Sequence, residues 1–557
     1  MKSYYLVPLC WLLSACTTTP QPPQTVDAAP CSEVWCADQG DGTYRNPILH
    51  ADYSDPDAIR VGEEYWLTAS SFQCVPGLPI LRSTDLVNWE LVNYALPRLT
   101  PASHYASPQH GCGVWAPCIR HHEGEFYIYW GDPDFGIYMV HTDNPLGRWS
   151  EPILVKAGKG LIDPSPLWDD DGRLYLAHAW AASRVGLNSI ITLVELDPSG
   201  ERVISDERII FDGNFDGNYT IEGAKLYKRA GKYYLFAPAG GVPTGWQLVA
   251  KADAIEGPYE SRIVLAQGES QINGPHQGAW VDTPEGEDWF LHFQEKQPYG
   301  RVMHLNPMRW DAEGWCVMGV DADGDGCGEP VVQGQMPRKA HPSPRMTPAE
   351  SDEFEGDKGL QWQWHANPQD WFGMATQQGF YRLYASREPF ENLWSVPNLL
   401  LQKFPAECFT ATTKLRFSTK FEGDEGGLVV MGFDYARLGL RHEGGVARLE
   451  YTTCADAHRG SKEQRTLLCS LPLTPFENGA LPLLSAEIYL RVEVASGGVC
   501  CFAYSLDGEY FQRVDAPLFQ AREGRWIGAK LGLYCCNSGS MKNRGWIDVD
   551  WFRITNS

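Results

Sequence analysis

Five short contexts in this chain hold residue types that can do acid–base work or face a polar ligand. They are Asp55 in SDPD, Trp115 in VWAP, Asp163 in IDPS, Glu222 in IEGA and His276 in PHQG. Two carboxylates on opposite sides of a pocket suit glycosidic bond hydrolysis, one protonating the leaving oxygen while the other activates water or attacks carbon. The acid needs apolar burial or a neighbouring anion to stay protonated near neutrality, and a third carboxylate can supply that anion. The competing chemistry is a calcium site, because oxygen-rich clusters hold that ion. A DPD triplet alone decides nothing, since Asp and Pro are common turn residues.

What brings these residues together is a repeat. Turn glycines followed by charged and aromatic residues recur as GEEYWL from Gly62, GEFYIY from Gly124, GRLYLA from Gly172, GKYYLF from Gly231 and GEDWFL from Gly286. A second strand-like run follows each: ILRS, IYMVH, IITLV, QLVAK and RVMHL. Short aromatic and β-branched runs bounded by Gly, Asp and Pro are an all-β signature. Five multi-strand repeats predict a five-bladed β-propeller over residues 41–335. The five residues above lie seven to ten positions before the five glycines, where the first strand of each blade lines the channel. Three carboxylates, a histidine and an aromatic would then meet at one end of it. A purely structural origin predicts small or apolar residues at those places.

The bulk numbers bound the partners. At 557 residues more than one domain is expected, and a formal charge of −24 argues against nucleic acid. The first residues read as an address. Lys2, the apolar run LVPLCWLL, then Leu13, Ser14, Ala15 and Cys16 have the layout of a secretory signal that is too short to span a bilayer as a mature helix. Residues 17–40 read as a tether. Of 16 cysteines, 14 remain once Cys10 and Cys16 are set aside, and Cys31/Cys36, Cys112/Cys118 and Cys316/Cys327 are candidate pairs. The run DADGDG from Asp321 begins like an EF-hand loop but has Val332 where the bidentate Glu belongs, so a hairpin turn is expected.

The motifs NPIL, SDPDAI, PGLPI, STDLVNW, GVWAP, DPS, EGAKLY, PHQG and YGR, in that order, resemble glycoside hydrolase family 43, in particular its two-domain β-xylosidase and α-L-arabinofuranosidase members. The tetrad ending at Cys16 likewise resembles a bacterial lipobox. The resemblance implies an inverting exo-glycosidase, lipid-anchored through Cys16 and exported to the periplasm or cell surface. It would remove terminal arabinofuranosyl or xylosyl units from plant cell-wall oligosaccharides, with arabinofuranose the first expectation. Asp55 matches the general base, Glu222 the general acid and Asp163 the residue that tunes the acid. Phe72, Trp115, Arg301 and His276 match sugar-contacting positions. His276 also matches a channel histidine that helps hold a calcium ion through water; no cofactor is required for the reaction. Glu222-Gly223-Ala224 departs from the Glu-Gly-Pro of many relatives, which bears on subsite detail. The same-fold alternative is an endo-arabinanase with an open groove, and the alternative from another class is a non-catalytic carbohydrate-binding surface protein.

Beyond Met336 the Pro-rich, charged run MPRKAHPSPRMTP marks a linker over 336–352. Alternating segments follow, among them IYLRVEV with Ile488, Leu490, Val492 and Val494 on one face, and a hairpin at Asp507-Gly508. They predict a β-sandwich over 353–557, which the family resemblance makes concanavalin-like and able to lend a loop to the pocket. Asp52 and Asp57 are expected to be structural turn residues.

Overall fold

The computed structural model describes residues 31–557 apart from 340, 342, 387–389, 477–482 and 538–544; the signal segment and Cys16 lie outside the described residues. Residues 57–318 form five four-stranded antiparallel sheets, each a simple meander from the channel outward. Their innermost strands are Asp57–Val61, Trp115–His122, Leu161–Trp168, Lys225–Arg229 and His276–Asp282. The aromatic repeat supplies the second strand of every blade, and the run after it supplies the third. The five repeat glycines turn the chain between first and second strands at φ of 65–90°, a region that favours glycine. The ring closes where Thr43–Arg45 pairs antiparallel with Gln333–Gln335.

Blades are also tied to each other by charge. The buried Asp57 carboxylate accepts from the Ile119 backbone N–H and from Arg120 Nη1, each at 2.8 Å, joining blades one and two. In blade four the fully buried Lys225 donates to the Pro117 carbonyl at 2.9 Å.

The second domain packs a seven-stranded sheet against a nine-stranded one. The longest pairing runs from Phe409–Thr419 against Leu483–Ala495, and Ile488, Leu490, Val492 and Val494 all enter the core between the sheets. The Asp507-Gly508 turn is wider than a two-residue hairpin. Pairing starts only at Tyr504 and Gln512, because Asp507 Oδ1 takes the Glu509 and Tyr510 N–H groups and opens the loop.

Two expectations need correction. Residues 31–40 are not a free tether: Trp35 Nε1 donates to the Pro47 carbonyl, Arg45 stacks on its ring, and Ser32 Oγ donates to Glu350. The linker is equally engaged, with Met346 N–H on Asn88 and Arg345 on the Asp38 carbonyl. Of the candidate cysteine pairs only Cys31–Cys36 is bridged; Cys112, Cys118, Cys316 and Cys327 are free, as are Cys500, Cys501, Cys535 and Cys536.

The two domains interlock through the YGR motif. Tyr299 sits in the sandwich core, accepts the Gly498 N–H and donates to the Glu407 carbonyl, both at 3.0 Å. The PGLP segment is part of the same contact, with Gln363 Nε2 on the Pro76 carbonyl and Val75 bridged to Trp364.

Removing Asp57 leaves Arg120 and the Ile119 N–H without their shared acceptor. Asp57→Ala is expected to cost about 3–5 kcal/mol in denaturant unfolding; a loss below about 1 kcal/mol would show that the interblade pair carries little.

Candidate active site

At the channel mouth a left-handed backbone residue stands within two residues of the start of each inner strand. These are Asp55 (φ 51°), Ala116 (39°), Asp163 (55°), Gly223 (61°) and Gln277 (36°). In blades two, three and five the strand register shifts at this residue, a bulge that turns the neighbouring side chain toward the channel axis. The five sequence contexts are therefore equivalent, with one refinement. Asp55 and Asp163 are themselves the left-handed residues, whereas Trp115, Glu222 and His276 each precede theirs by one position. Gly223 is the acid's neighbour for a steric reason as well: a Cβ there would lie 2.7 Å from the Gln277 side chain.

Asp55, Asp163, Glu222, Phe72, Trp115 and Arg301 all line one pocket of about 260 Å³, together with Trp180, Asn188 and Trp526. The buried Asp55 carboxylate accepts from Ser70 Oγ at 2.6 Å and from Arg301 Nη1 at 3.0 and 3.2 Å. Ser70 Oγ also receives the Ala116 N–H at 2.7 Å, which locks the hydroxyl between blades one and two. Both Asp55 oxygens are thus held by donors, and the ring of acids has a guanidinium to offset its repulsion.

Glu222 has a different environment. Burial pushes its pKa up, to about 8, with the Asp163 and Asp55 charges adding to the rise and Arg301 opposing it. Its side chain is 34% exposed, and that exposure opens into the pocket, so a bound ligand would dehydrate it further. His276 Nε2 stands 3.8 Å from Glu222 Oε1, beyond hydrogen-bond reach, and burial lowers the imidazole pKa to about 3. A neutral histidine there gives Glu222 no counter-charge. Asp163 is also raised, chiefly by burial with Asp55 adding; the Gly223 N–H at 2.7 Å and Lys225 hold it down. The pocket therefore holds one carboxyl kept protonated near neutrality and another clamped by arginine and serine. This is the divided environment that acid and base need.

His276 does not line the pocket. It is buried beneath Glu222, and neither ring nitrogen has a hydrogen-bond partner. Calcium takes six to eight oxygen ligands, and among the described residues the only group of three close acidic or imidazole ligands is Asp321, Asp323 and Asp325, far along the chain in a blade-five loop. In that loop Asp321 instead caps the Gly324 and Gly326 N–H groups, as a hairpin turn would. Among the described residues no set of acids or imidazoles completes a directly ligated calcium site around His276.

Besides Ser70, Trp180 and Asn188, the sequence reading missed the site roles of Trp526 and Asp52. Trp526, from the sandwich, reaches into the pocket and meets Trp115 edge-to-face at 6.1 Å, with the Arg301 guanidinium 5.9 Å from its ring. It stands at φ 64°, and Gly111 leaves room for it: a Cβ there would lie 3.0 Å from the indole. Asp52, expected to be a turn residue, accepts the Arg301 N–H and the Gly528 N–H, each at 2.9 Å. One carboxylate so places both the arginine of the site and the loop that carries Trp526. Gly300 has to be glycine, because a Cβ would fall 2.6 Å from the Asp52 carboxyl. Nothing in the string GRWIG marks Trp526 as a pocket residue, since its contact depends on how two domains dock.

A propeller with this carboxyl arrangement, backed by a concanavalin-like sandwich, defines a glycoside hydrolase. The chain belongs to glycosyl hydrolases family 43: the family's sequence profile matches residues 44–316, and that of the beta xylosidase C-terminal concanavalin A-like domain matches 351–555. A relative from Xylanibacter ruminicola is 36% identical, with 89% of this chain and 86% of the relative covered. The "Beta-xylosidase" of Formosa agariphila is 31% identical over 97% of this chain and 95% of its own length. The "Non-reducing end alpha-L-arabinofuranosidase" of Bacteroides ovatus is also 31% identical, over 92% and 94%. Among solved structures, a GH43 protein of Bacillus licheniformis superposes with a TM-score of 0.76 at 25% identity, covering 92% of this chain and all of its own.

Asp163→Asn removes an anion that raises Glu222. With Glu222 as the proton donor, activity would fall as pH rises through its pKa, and in the variant that basic limb should move to lower pH. An unmoved limb in the pH dependence of kcat would remove Asp163 from this role. Trp526→Ala should raise KM by roughly tenfold through lost ring contact, whereas an unchanged KM would place the indole outside the sugar site.

Proposed function

We propose that the protein is an inverting exo-glycosidase in which Glu222 is the general acid, Asp55 the general base and Asp163 the residue that keeps the acid protonated. The observation that supports this best is the contrast between the two carboxyls. Glu222 has burial and two anions around it and only a distant arginine, while Asp55 is held by Arg301 and Ser70. In the reaction Glu222 gives its proton to the glycosidic oxygen as the bond to the anomeric carbon breaks. Asp55 takes a proton from a water that attacks the opposite face of the same carbon. Inversion requires about 6.5–9.5 Å between the two carboxyls so that this water fits, and Asp55 and Glu222 stand at the inner strands of two non-adjacent blades, one and four. Arg301 limits the repulsion of the three acids before and after proton transfer.

The pocket walls favour attack at chain ends. Phe72 and Trp115 stand edge-to-face at 6.2 Å on one side, and Trp526 from the second domain stands against Trp115. A volume near 260 Å³ suits one sugar ring and part of the next, not a long chain lying across the mouth. The named relatives are β-xylosidases and an α-L-arabinofuranosidase acting at the non-reducing end. Terminal β-D-xylosyl and α-L-arabinofuranosyl units of plant cell-wall oligosaccharides are therefore the substrates. The prominence of xylosidases among the relatives weighs against arabinofuranose as the first expectation. Export and a lipid anchor at Cys16 belong to the same reading and rest on the N-terminal sequence.

Glu222→Gln and Asp55→Asn, assayed on p-nitrophenyl β-D-xyloside and α-L-arabinofuranoside, should each lose roughly 10²–10⁴-fold in kcat. Variants as active as the parent would overturn the assignment. Since no step uses a metal, dialysis against a chelator should leave both activities intact, and a loss restored by calcium would show that the channel needs an ion.

A further inference from the structure

Away from the pocket, a lysine of the sandwich and a cysteine of the propeller meet across the domain interface. Lys530 Nζ lies 2.9 Å from Cys74 Sγ and 3.2 Å from Gln363 Oε1. Both residues are almost fully buried, at 4% and 3% exposure. Among the described residues no carboxylate lies within ion-pairing distance of Lys530. A second lysine, the half-buried Lys403, points at the same Gln363 oxygen from 3.5 Å. A buried amine without a carboxylate partner is costly when charged, and its two polar neighbours are the Gln363 oxygen and the Cys74 sulfur. The contact sets the Cys74 sulfur directly against the Lys530 nitrogen. A cavity of about 10 Å³, lined by Cys74, Gln363 and Lys530, adjoins the pair. That is about the space one water or one diatomic molecule needs.

We propose that Cys74 and Lys530 are joined, in the presence of dioxygen, by a covalent N–O–S bridge that fastens the propeller to the sandwich. The overall change takes one thiol, one neutral amine and one dioxygen to one S–O–N linkage and one water. Sulfur and nitrogen each lose two electrons and dioxygen accepts four. The S–H bond and one N–H bond break, and their two hydrogens leave in the water. Two dithiols reverse it, supplying four electrons and returning the thiol, the amine and one water.

The location gives the bridge a consequence for the site. Cys74 follows Phe72 by two residues and Lys530 follows Trp526 by four, so the link ties together two segments that each carry a ring of the pocket. Oxidation state would then set how firmly the sandwich loop is held over the sugar site, independently of the carboxyl chemistry.

The test uses the full protein, prepared reduced without dioxygen and then divided between air-saturated and anaerobic buffer. Each sample is denatured in acid, alkylated, digested and mapped by mass spectrometry. The air-exposed sample should yield a joined pair of peptides containing Cys74 and Lys530, heavier than their sum by one oxygen less two hydrogens. Dithiothreitol should abolish it, and alkylatable Cys74 should fall by roughly half or more. Cys74→Ser and Lys530→Arg should each lack the joined species; because the parent protein alone gives the comparison, failure of a variant to fold leaves the test intact. Full alkylation of Cys74 after air exposure would overturn the proposal. So would a Cys74 peptide that gained oxygen while Lys530 stayed unmodified, because that is sulfenic acid without a bridge.

Discussion

The site depends on a backbone constraint repeated five times: at the mouth of the channel, each inner strand has one residue in the left-handed region. Such a residue is uncommon outside glycine and costs of order 1–3 kcal/mol where the side chain is not favoured there. Its effect is to break the strict alternation of the strand, so that a residue that would otherwise lie along the channel wall is turned to the axis. Four of the five copies bring a side chain into the pocket, and the fifth sets His276 beneath Glu222. The chain uses three of them for carboxyls and leaves the rest to an indole and an imidazole.

Placing three acids within one pocket creates the electrostatic problem that the remaining residues answer. Burial and mutual repulsion raise the pKa of Glu222 furthest, while the other two carboxyls are held by donors. Arg301 takes Asp55, and the Gly223 N–H and Lys225 restrain Asp163. The arginine is placed by Asp52, whose other oxygen holds the Gly528 N–H of the sandwich. Domain docking and acid–base assignment therefore meet at one carboxylate. The second domain is a wall of the site through Trp526 and a support of it through this contact, which explains why Tyr299, beside Arg301, is buried in the sandwich core.

Much of this was legible in the sequence because propeller repeats are local. A turn glycine, an aromatic strand and an acid nine or so residues upstream can be aligned without knowing any distance, and that alignment located Asp55, Asp163 and Glu222. The alignment was blind to the one-residue offset between Asp55 and Glu222, because φ is not written in residue types when Asp, Ala, Gln and Gly all fill the same place. Trp526 and the second role of Asp52 were out of reach for another reason. Both arise from the docking of segments nearly 480 residues apart in the chain, for which no periodicity exists. The tether reading of residues 31–40 failed similarly: composition suggested an unstructured spacer, but Trp35 and Arg45 give it a stacked anchor.

The central claim is that Glu222 and Asp55 act on opposite faces of the anomeric carbon, with a water between carbon and base. Proton NMR of the first-formed sugar tests it most directly. Released from a β-D-xyloside in a time short against mutarotation, xylose should appear first as the α anomer and equilibrate afterwards. Xylose appearing first as the β anomer would mean a covalent glycosyl–enzyme intermediate and two closely spaced carboxyls, and would contradict the account.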